Sequence, residues 1–225
     1  MNLPILALNM GITNYLSAWS LQRKYHSLVT EGTIGGCVIF GEHQPTLTIG
    51  KNGNAEDVLV SKNDLDAMGI ALHRIDRGGQ VTAHMPGQLV IYPILPVRSL
   101  NLTVRRYIEK LEQMVKKILT NYEIKGESRQ NLPGIWISER KICSLGIRIS
   151  RRVSMHGIAI NVNNDLGLFR KIVSCGDHQT RATSLTKELG YSVSISDVWG
   201  VAVDLLRSEL NCQIISTIAP KLEKY

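Results

Sequence analysis

The chain has 225 residues, of which 44% are hydrophobic, enough apolar material for the core of a single globular domain, expected here over residues 1–225. Its 26 Lys plus Arg against 19 Asp plus Glu give a formal charge of +7, which favours an acidic partner. Aromatic residues make up only 5% and the basic residues are scattered, which speaks against the stacking platforms of single-strand nucleic-acid binders and leaves an acidic protein as the more economical partner.

The N-terminal apolar run has no basic segment ahead of it, and no stretch approaches the roughly 18 apolar residues of a membrane span, so neither export nor membrane insertion is expected. Ile5 to Leu8 reads as a first strand. Ala18, Leu21, Tyr25 and Leu28 then recur on one face of a helix opened by Thr13 or Asn14. Cys37 to Phe40 is a short apolar strand, and beyond a turn at Glu42 to Pro45 the alternation of Leu47 and Ile49 with Thr46 and Thr48 predicts a hairpin partner. Ser61 caps a short helix through Leu65 and Met68 that stops at Gly69, and Ile70 to Arg74 continues as a strand.

From Arg77 to Leu95 a glycine pair, a histidine, a Pro86-Gly87 turn signal and an apolar run from Leu89 follow without a break; the run is long enough for a central strand. Val104, Tyr107, Ile108, Leu111, Met114, Val115, Ile118 and Leu119 form the clearest helical stripe, capped by Thr103 and read as the cover of a sheet. Its basic outer residues, among them Arg105, Lys110 and Lys117, suit a solvated face or an acidic protein. Three strands follow, Ile135 to Ser138, Ile142 to Ile149 and Val153 to Val162, then a loop from Asn163 to Thr183 and two helices, Ser184 to Leu189 and Asp197 to Leu210 with Ser196 as cap.

Cys37, Cys143, Cys175 and Cys212 stand far apart and are read as reduced thiols of a cytosolic protein. Cys175, before a glycine in a loop, is a candidate nucleophile that needs a cation, base or helix N-terminus beside it to be thiolate near neutral pH. Cys175 and His178 lack a second ligand pair at metal spacing, so no metal site is expected. Glycines at three strand edges, in Arg77 to His84, Ser144 to Gly146 and Gly157 to Ala159, admit two readings: backbone open to an extended ligand, or close strand packing.

The motifs Arg77-Gly78-Gly79-Gln80-Val81-Thr82-x-His84-x-Pro86-Gly87-Gln88-Leu89, Gly134-Ile135-Trp136, Lys141-Ile142-x-x-x-Gly146-Ile147-Arg148, Met155-His156-Gly157-Ile158-Ala159-x-Asn161-Val162 and Cys175-Gly176, in this order, resemble the lipoyl(octanoyl) transferase family. The resemblance covers roughly residues 35 to 190. It implies an α/β fold of the α+β type, a mixed sheet with packed helices shared with biotin and lipoate protein ligases. It implies Cys175 as the acyl-thioester nucleophile, Lys141 as the residue that lowers its pKa or moves its proton, and an acyl-substrate site from Arg77, Gly78, Gly79, Gln80, Val81, Thr82, Ala83 and His84, from Ser144, Leu145 and Gly146, and from Gly157, Ile158 and Ala159.

The implied reaction takes octanoyl from octanoyl-acyl carrier protein to a lysine of lipoyl domains, those of the 2-oxoacid dehydrogenase complexes and the glycine cleavage H protein, with no cofactor, no nucleic acid and no stable membrane association. Ala83 stands where the family usually has an aromatic, Met85 where it has a small residue, Ser174 where it has proline and Asp177 where it has an apolar residue. The first two are expected to alter the acyl pocket. An ATP-dependent lipoate or biotin ligase is the alternative within the superfamily, but it would leave Cys175 without a role, and His84 is followed by Met-Pro-Gly rather than a ligase-like continuation. A silent carrier- or lipoyl-domain-binding module is the third reading.

Overall fold

The computed structural model describes residues 4–97, 102–173, 180–210 and 214–218. Its strands are β1 (Ile5–Thr13), β2 (Gly36–His43), β3 (Thr46–Ile49), β4 (Ala71–Arg74), β5 (Val81–His84), β6 (Gln88–Ile94), β7 (Glu127–Arg129), β8 (Leu132–Ile137), β9 (Arg140–Ser150), β10 (Val153–Asn161), β11 (Arg181–Ala182) and β12 (Ile214–Ile218). The helices are α1 (Tyr15–Thr30), α2 (Lys62–Ala67), α3 (Val104–Thr120), α4 (Leu185–Leu189) and α5 (Ile195–Leu210).

Among the described residues a nine-stranded mixed sheet runs in the order β12-β1-β2-β6-β10-β9-β8-β7, with β11 added alongside β9. β1 is parallel to both its neighbours, and β2 to β8 pair antiparallel along that path. The period of two along each central strand divides the core between the two faces. Val38, Phe40, Leu89 and Ile91 face α3 and α5, while Cys37, Ile39, Val90 and Tyr92 face α1. The sheet therefore has helices on both faces, as a strand buried on both sides requires.

Local chemistry sets the helix starts. Asn14 accepts from the Ser17 amide, Ser61 from the Asp64 amide and Thr103 from the Arg106 amide, each side chain satisfying an orphan donor of the first turn. For α5 the capping oxygen is that of Ser194, which accepts from the Asp197 amide at 3.1 Å, and the helix begins at Ile195 rather than after Ser196.

The hairpin expected across Glu42 to Pro45 is not formed. β2 pairs with β1 and β6, whereas β3 leaves for a second, three-stranded sheet of order β4-β3-β5. All four β3 residues are buried, so the Leu-Thr alternation does not separate a wet face from a dry one. The small sheet packs Leu47, Ile49, Val81 and Ala83 against Leu65 of α2 and Leu168 and Ile172 of the later loop. β5, β7, β11 and β12 are further strands that the sequence pattern did not mark, β11 lying within the stretch read as a loop.

Candidate active site

Where the Arg77–Gln80 loop and β5 meet β9 and β10, the two sheets enclose a cavity of about 480 Å³, within the roughly 300–1,000 Å³ usual for small-molecule sites. Its wall carries apolar side chains, among them Val104, Ile108, Leu132, Leu145 and Ile147, and the polar side chains of Tyr15, Arg77, His84, Tyr92, Lys141 and His156. Arg77 is buried, and its guanidinium donates through Nη2 to Thr48 O at 2.8 Å and Thr48 Oγ1 at 3.0 Å and through Nη1 to Gly78 O at 3.0 Å. These bonds fasten the glycine loop to β3, and Gly78 N donates to Ile147 O at 2.9 Å, fastening it to β9.

Three histidines and two tyrosines form a buried cluster beneath this loop. The Tyr15 and His84 rings stack at 5.5 Å between centroids, Tyr15 and His43 lie at 5.0 Å, and His43 meets His84 edge-on at 5.4 Å. Their partners assign each tautomer. His43 Nδ1 faces the Thr13 carbonyl at 3.0 Å and must donate, so its Nε2 accepts from the Tyr92 hydroxyl at 2.7 Å. His156 Nε2 donates to Asp76 Oδ1 at 2.7 Å, leaving Nδ1 to accept from Tyr15 Oη at 3.4 Å. Burial is the main reason that all three imidazoles are held neutral, His43 lowered to about 4, His156 to about 3, and His84 well below the ordinary histidine value, with His43 and Arg77 beside it adding to the shift.

His84 is tied to a longer chain of side chains. Asn161 Nδ2 donates to the Thr183 carbonyl at 2.9 Å, so Asn161 Oδ1 accepts, here from Gln88 Nε2 at 2.9 Å. Gln88 Nε2 also donates to the Ala83 carbonyl at 3.1 Å, which turns Gln88 Oε1 towards His84 Nδ1 at 2.8 Å. His84 therefore carries its proton on Nδ1, and Nε2 is a lone-pair acceptor.

Lys141 is buried on β9, opposite Trp136 of β8 and Ala182 of β11. Its Nζ lies 5.3 Å from the centre of the Trp136 ring, within cation–π range. Its stem crosses Gly134, where a β-carbon would stand 2.7 Å from Lys141 Cε. Gly134 and Trp136 thus form a slot for the lysine. A small void of about 10 Å³, bounded by Lys141, Ser144, Asn161, Phe169, Thr180 and Ala182, adjoins it. The chain returns to the sheet here: Thr183 N donates to Lys141 O at 2.9 Å, and Arg140 holds Glu188 by two bonds of 2.9 Å each. On the other side, Val173 N donates to Asp57 O at 2.7 Å. Cys175, Gly176, Asp177 and His178 lie between these two anchors and outside the described residues, as do Ser174 and Cys212. The two cysteines described, Cys37 and Cys143, are buried thiols, and burial pushes Cys143 up to about 12, far from a nucleophile's range.

Arg77, Gly78, Gly79, Gln80, Val81, Thr82, His84, Ser144, Leu145, Gly146, Gly157, Ile158 and Ala159 come together with Lys141 in the cavity wall. Ala83 does not. It is fully buried in the core of the small sheet, on the side of β5 opposite Thr82 and His84, and Met85 packs into the same core with its sulfur accepting from Asn164 Nδ2 at 3.0 Å. Ala83 and Met85, expected to alter the acyl pocket, thus face the core of the small sheet and do not line this cavity, because strand alternation turns them away from it.

The glycines serve close packing as well as lining. A β-carbon at Gly146 would sit 2.8 Å from Gly78 O, and one at Gly157 2.2 Å from Ile91 O. Tyr15, Tyr92, Val104, Ile108, Asn131 of the turn before β8 and Leu132 and Pro133 at the start of that strand are wall residues that sequence reasoning missed. Val104 and Ile108 were assigned to the core stripe of α3, yet Val104 is 54% exposed, a departure visible only once the helix is docked.

The family model described as the lipoyl protein ligase A/B catalytic domain matches residues 14–206. The octanoyltransferase of Dictyoglomus thermophilum is 41% identical over 184 residues, 82% of this chain and 78% of that protein. That of Chloroflexus aurantiacus is 39% identical over 192 residues, 84% of this chain and 86% of that protein. Among solved structures, lipoate-protein ligase A bound with ATP superposes with a TM-score of 0.75 at 17% identity, covering 98% of this chain and 90% of that one. A putative lipoate protein ligase from T. acidophilum with bound lipoic acid gives 0.72 at 16% identity, covering 98% and 91%. At such identities the structural likeness establishes the fold.

Proposed function

This chain belongs to the lipoyl protein ligase A/B catalytic domain family, and from that premise we propose that it takes octanoyl from an acyl carrier protein onto Cys175 and passes it to a lysine of a lipoyl domain. Octanoyl transfer in lipoate biosynthesis, by an enzyme of the acyltransferase class, is its activity. The thioester, the carrier-protein donor, the 2-oxoacid dehydrogenase and H-protein acceptors, a cytoplasmic setting and a single catalytic domain are our reading. No described helix is long and apolar enough to cross a membrane.

The observation that carries the reading is the buried Lys141 in a cavity wall of mixed apolar and hydrogen-bonding side chains, with Arg181–Ala182, the return of the chain after the cysteine segment, paired to Arg140 and Lys141. In the first half-reaction Lys141 takes the proton of Cys175 and the thiolate attacks the carrier thioester carbonyl; one C–S bond forms, the other breaks, and the leaving carrier thiolate takes that proton from Lys141, which returns to its neutral form. In the second, the lysine amine forms the C–N bond, Cys175 leaves as thiolate, and the proton shed by nitrogen is taken up by Lys141 in its neutral form. Acyl energy is conserved from thioester to thioester, so ATP is not consumed.

Intact-mass measurement under denaturing conditions after mixing with octanoyl-carrier protein, without ATP, tests this. An octanoyl adduct that Cys175→Ala abolishes is expected. Absence of the adduct together with ATP-dependent modification of a lipoyl domain would make the protein a ligase instead, and neither adduct nor modification would leave a binding module.

A further inference from the structure

We propose that His84 is a positioning residue whose unprotonated Nε2 accepts a hydrogen bond from an N–H of the amine that enters the cavity. The ligand in this inference rests on the acyl-transfer reading; the tautomer does not. Two observations carry it. His84 is only 5% exposed and lines the cavity, and its Nε2 has no hydrogen-bond partner among the described residues. The chain Thr183–Asn161–Gln88 holds the proton on Nδ1, because each amide in it already donates to an acceptor on one side.

A buried lone pair without a donor is costly, so the ligand suited to this position is one that brings an N–H or O–H. The acyl group brings neither: its carbonyl oxygen has only lone pairs and its chain is hydrocarbon. In this tautomer His84 therefore cannot serve the oxyanion, a role that needs a donor. Of the two groups that react in the transfer step, the acyl thioester and the lysine amine, the amine is the one that carries donors. Burial makes His84 a poor base, so it accepts the bond without taking the proton. One N–H held by Nε2 orients the nitrogen lone pair as it forms the C–N bond; Cys175 leaves as thiolate with the C–S electrons, and the proton lost by nitrogen goes to the separate base, not to His84.

Two measurements decide it. In the wild-type protein, ¹⁵N NMR of labelled histidine at neutral pH is expected to show His84 neutral with Nδ1 protonated; an Nε2-protonated or cationic ring would overturn the inference. In single-turnover mass spectrometry, the rate of transfer to a lipoyl domain is divided by the rate at which the same enzyme is acylated. His84→Phe, which has no acceptor, is expected to lower that ratio roughly tenfold or more, and His84→Gln, which keeps an acceptor oxygen, to recover part of the loss. An unchanged ratio, or a Gln variant no better than Phe, would overturn it. If His84→Phe does not fold, the Gln variant against wild type still reads the ratio. A wild-type protein that forms no acyl-enzyme would instead remove the acyl-transfer reading, and with it the amine as ligand, while the NMR result would stand on its own.

Discussion

A β-carbon at Gly134 would stand 2.7 Å from Cε of Lys141 and 2.2 Å from the carbonyl oxygen of Cys143, and Gly134 itself has φ +125°. The glycine and the lysine are one unit: the missing side chain is the groove in which the lysine stem lies, and the Trp136 ring stands 5.3 Å from its head. Placing the amine on a rigid strand, rather than on a loop, suits the proton-handling role proposed for it.

Gly134→Ala is expected to cost about 2–4 kcal/mol, since it combines a strained backbone angle with a clash against backbone that cannot move aside. Urea denaturation checks it; a midpoint equal to wild type would mean that the strand relaxes freely and that the groove is not tight.

Lys141→Met keeps the length and packing of the stem but removes the ammonium. Acylation by octanoyl-carrier protein should slow by about 10²-fold or more, the usual scale for loss of a proton-transfer group, while the circular dichroism spectrum is retained. Equal acylation and transfer rates in the two proteins would end the proposed role of Lys141.

Ala83→Tyr introduces the aromatic that the sequence resemblance leads one to expect at this position, but Ala83 is 0% exposed and belongs to the small sheet's core. The substitution should lower stability by about 1–3 kcal/mol through overpacking. Chain-length preference, measured with a series of acyl-carrier thioesters, should stay that of the wild type. A shifted preference at unchanged stability would place the side chain in the cavity after all.

The buried histidines predict an acid-sensitive fold. His43 and His156 are held to about 4 and about 3, below the roughly 6.5 of an unfolded chain, so between those values the unfolded state binds protons that the native state refuses. Stability is therefore full above about pH 6.5 and falls as pH drops towards 4, by on the order of 1 kcal/mol per pH unit for each histidine. Below each folded value that histidine's loss levels off. Urea midpoints at pH 7, 6 and 5 should fall steadily, and His43→Gln should flatten part of the slope. A flat profile over this window would mean that these rings take up protons in the native protein as readily as in the unfolded chain.

Helix starts and stripes, the β8–β10 run and the glycine-bearing segments were legible because they depend on neighbours a few positions away. Asn14, Ser61 and Thr103 bond to amides three residues on, and a stripe such as Leu111, Met114, Val115 and Ile118 needs only the helical period. The ordered motifs also marked Lys141, His84 and most of the cavity wall. What the local pattern does not contain is which strand pairs with which, and which face of a fully buried strand meets a cavity. Thr46–Ile49 has the alternation of a hairpin arm, yet it pairs with Ala71–Arg74 and Val81–His84, and that choice turns Ala83 inwards and His84 towards the ligand space. Likewise the proton on His84 is set by Gln88, Asn161 and Thr183, spread over about a hundred residues of chain and assembled by β6, β10 and the return at β11. Sequence determined the elements and the chemical groups they carry; the non-local pairing of strands decided where those groups point and which protons they hold, because both depend on partners that only the folded sheets bring within hydrogen-bond distance.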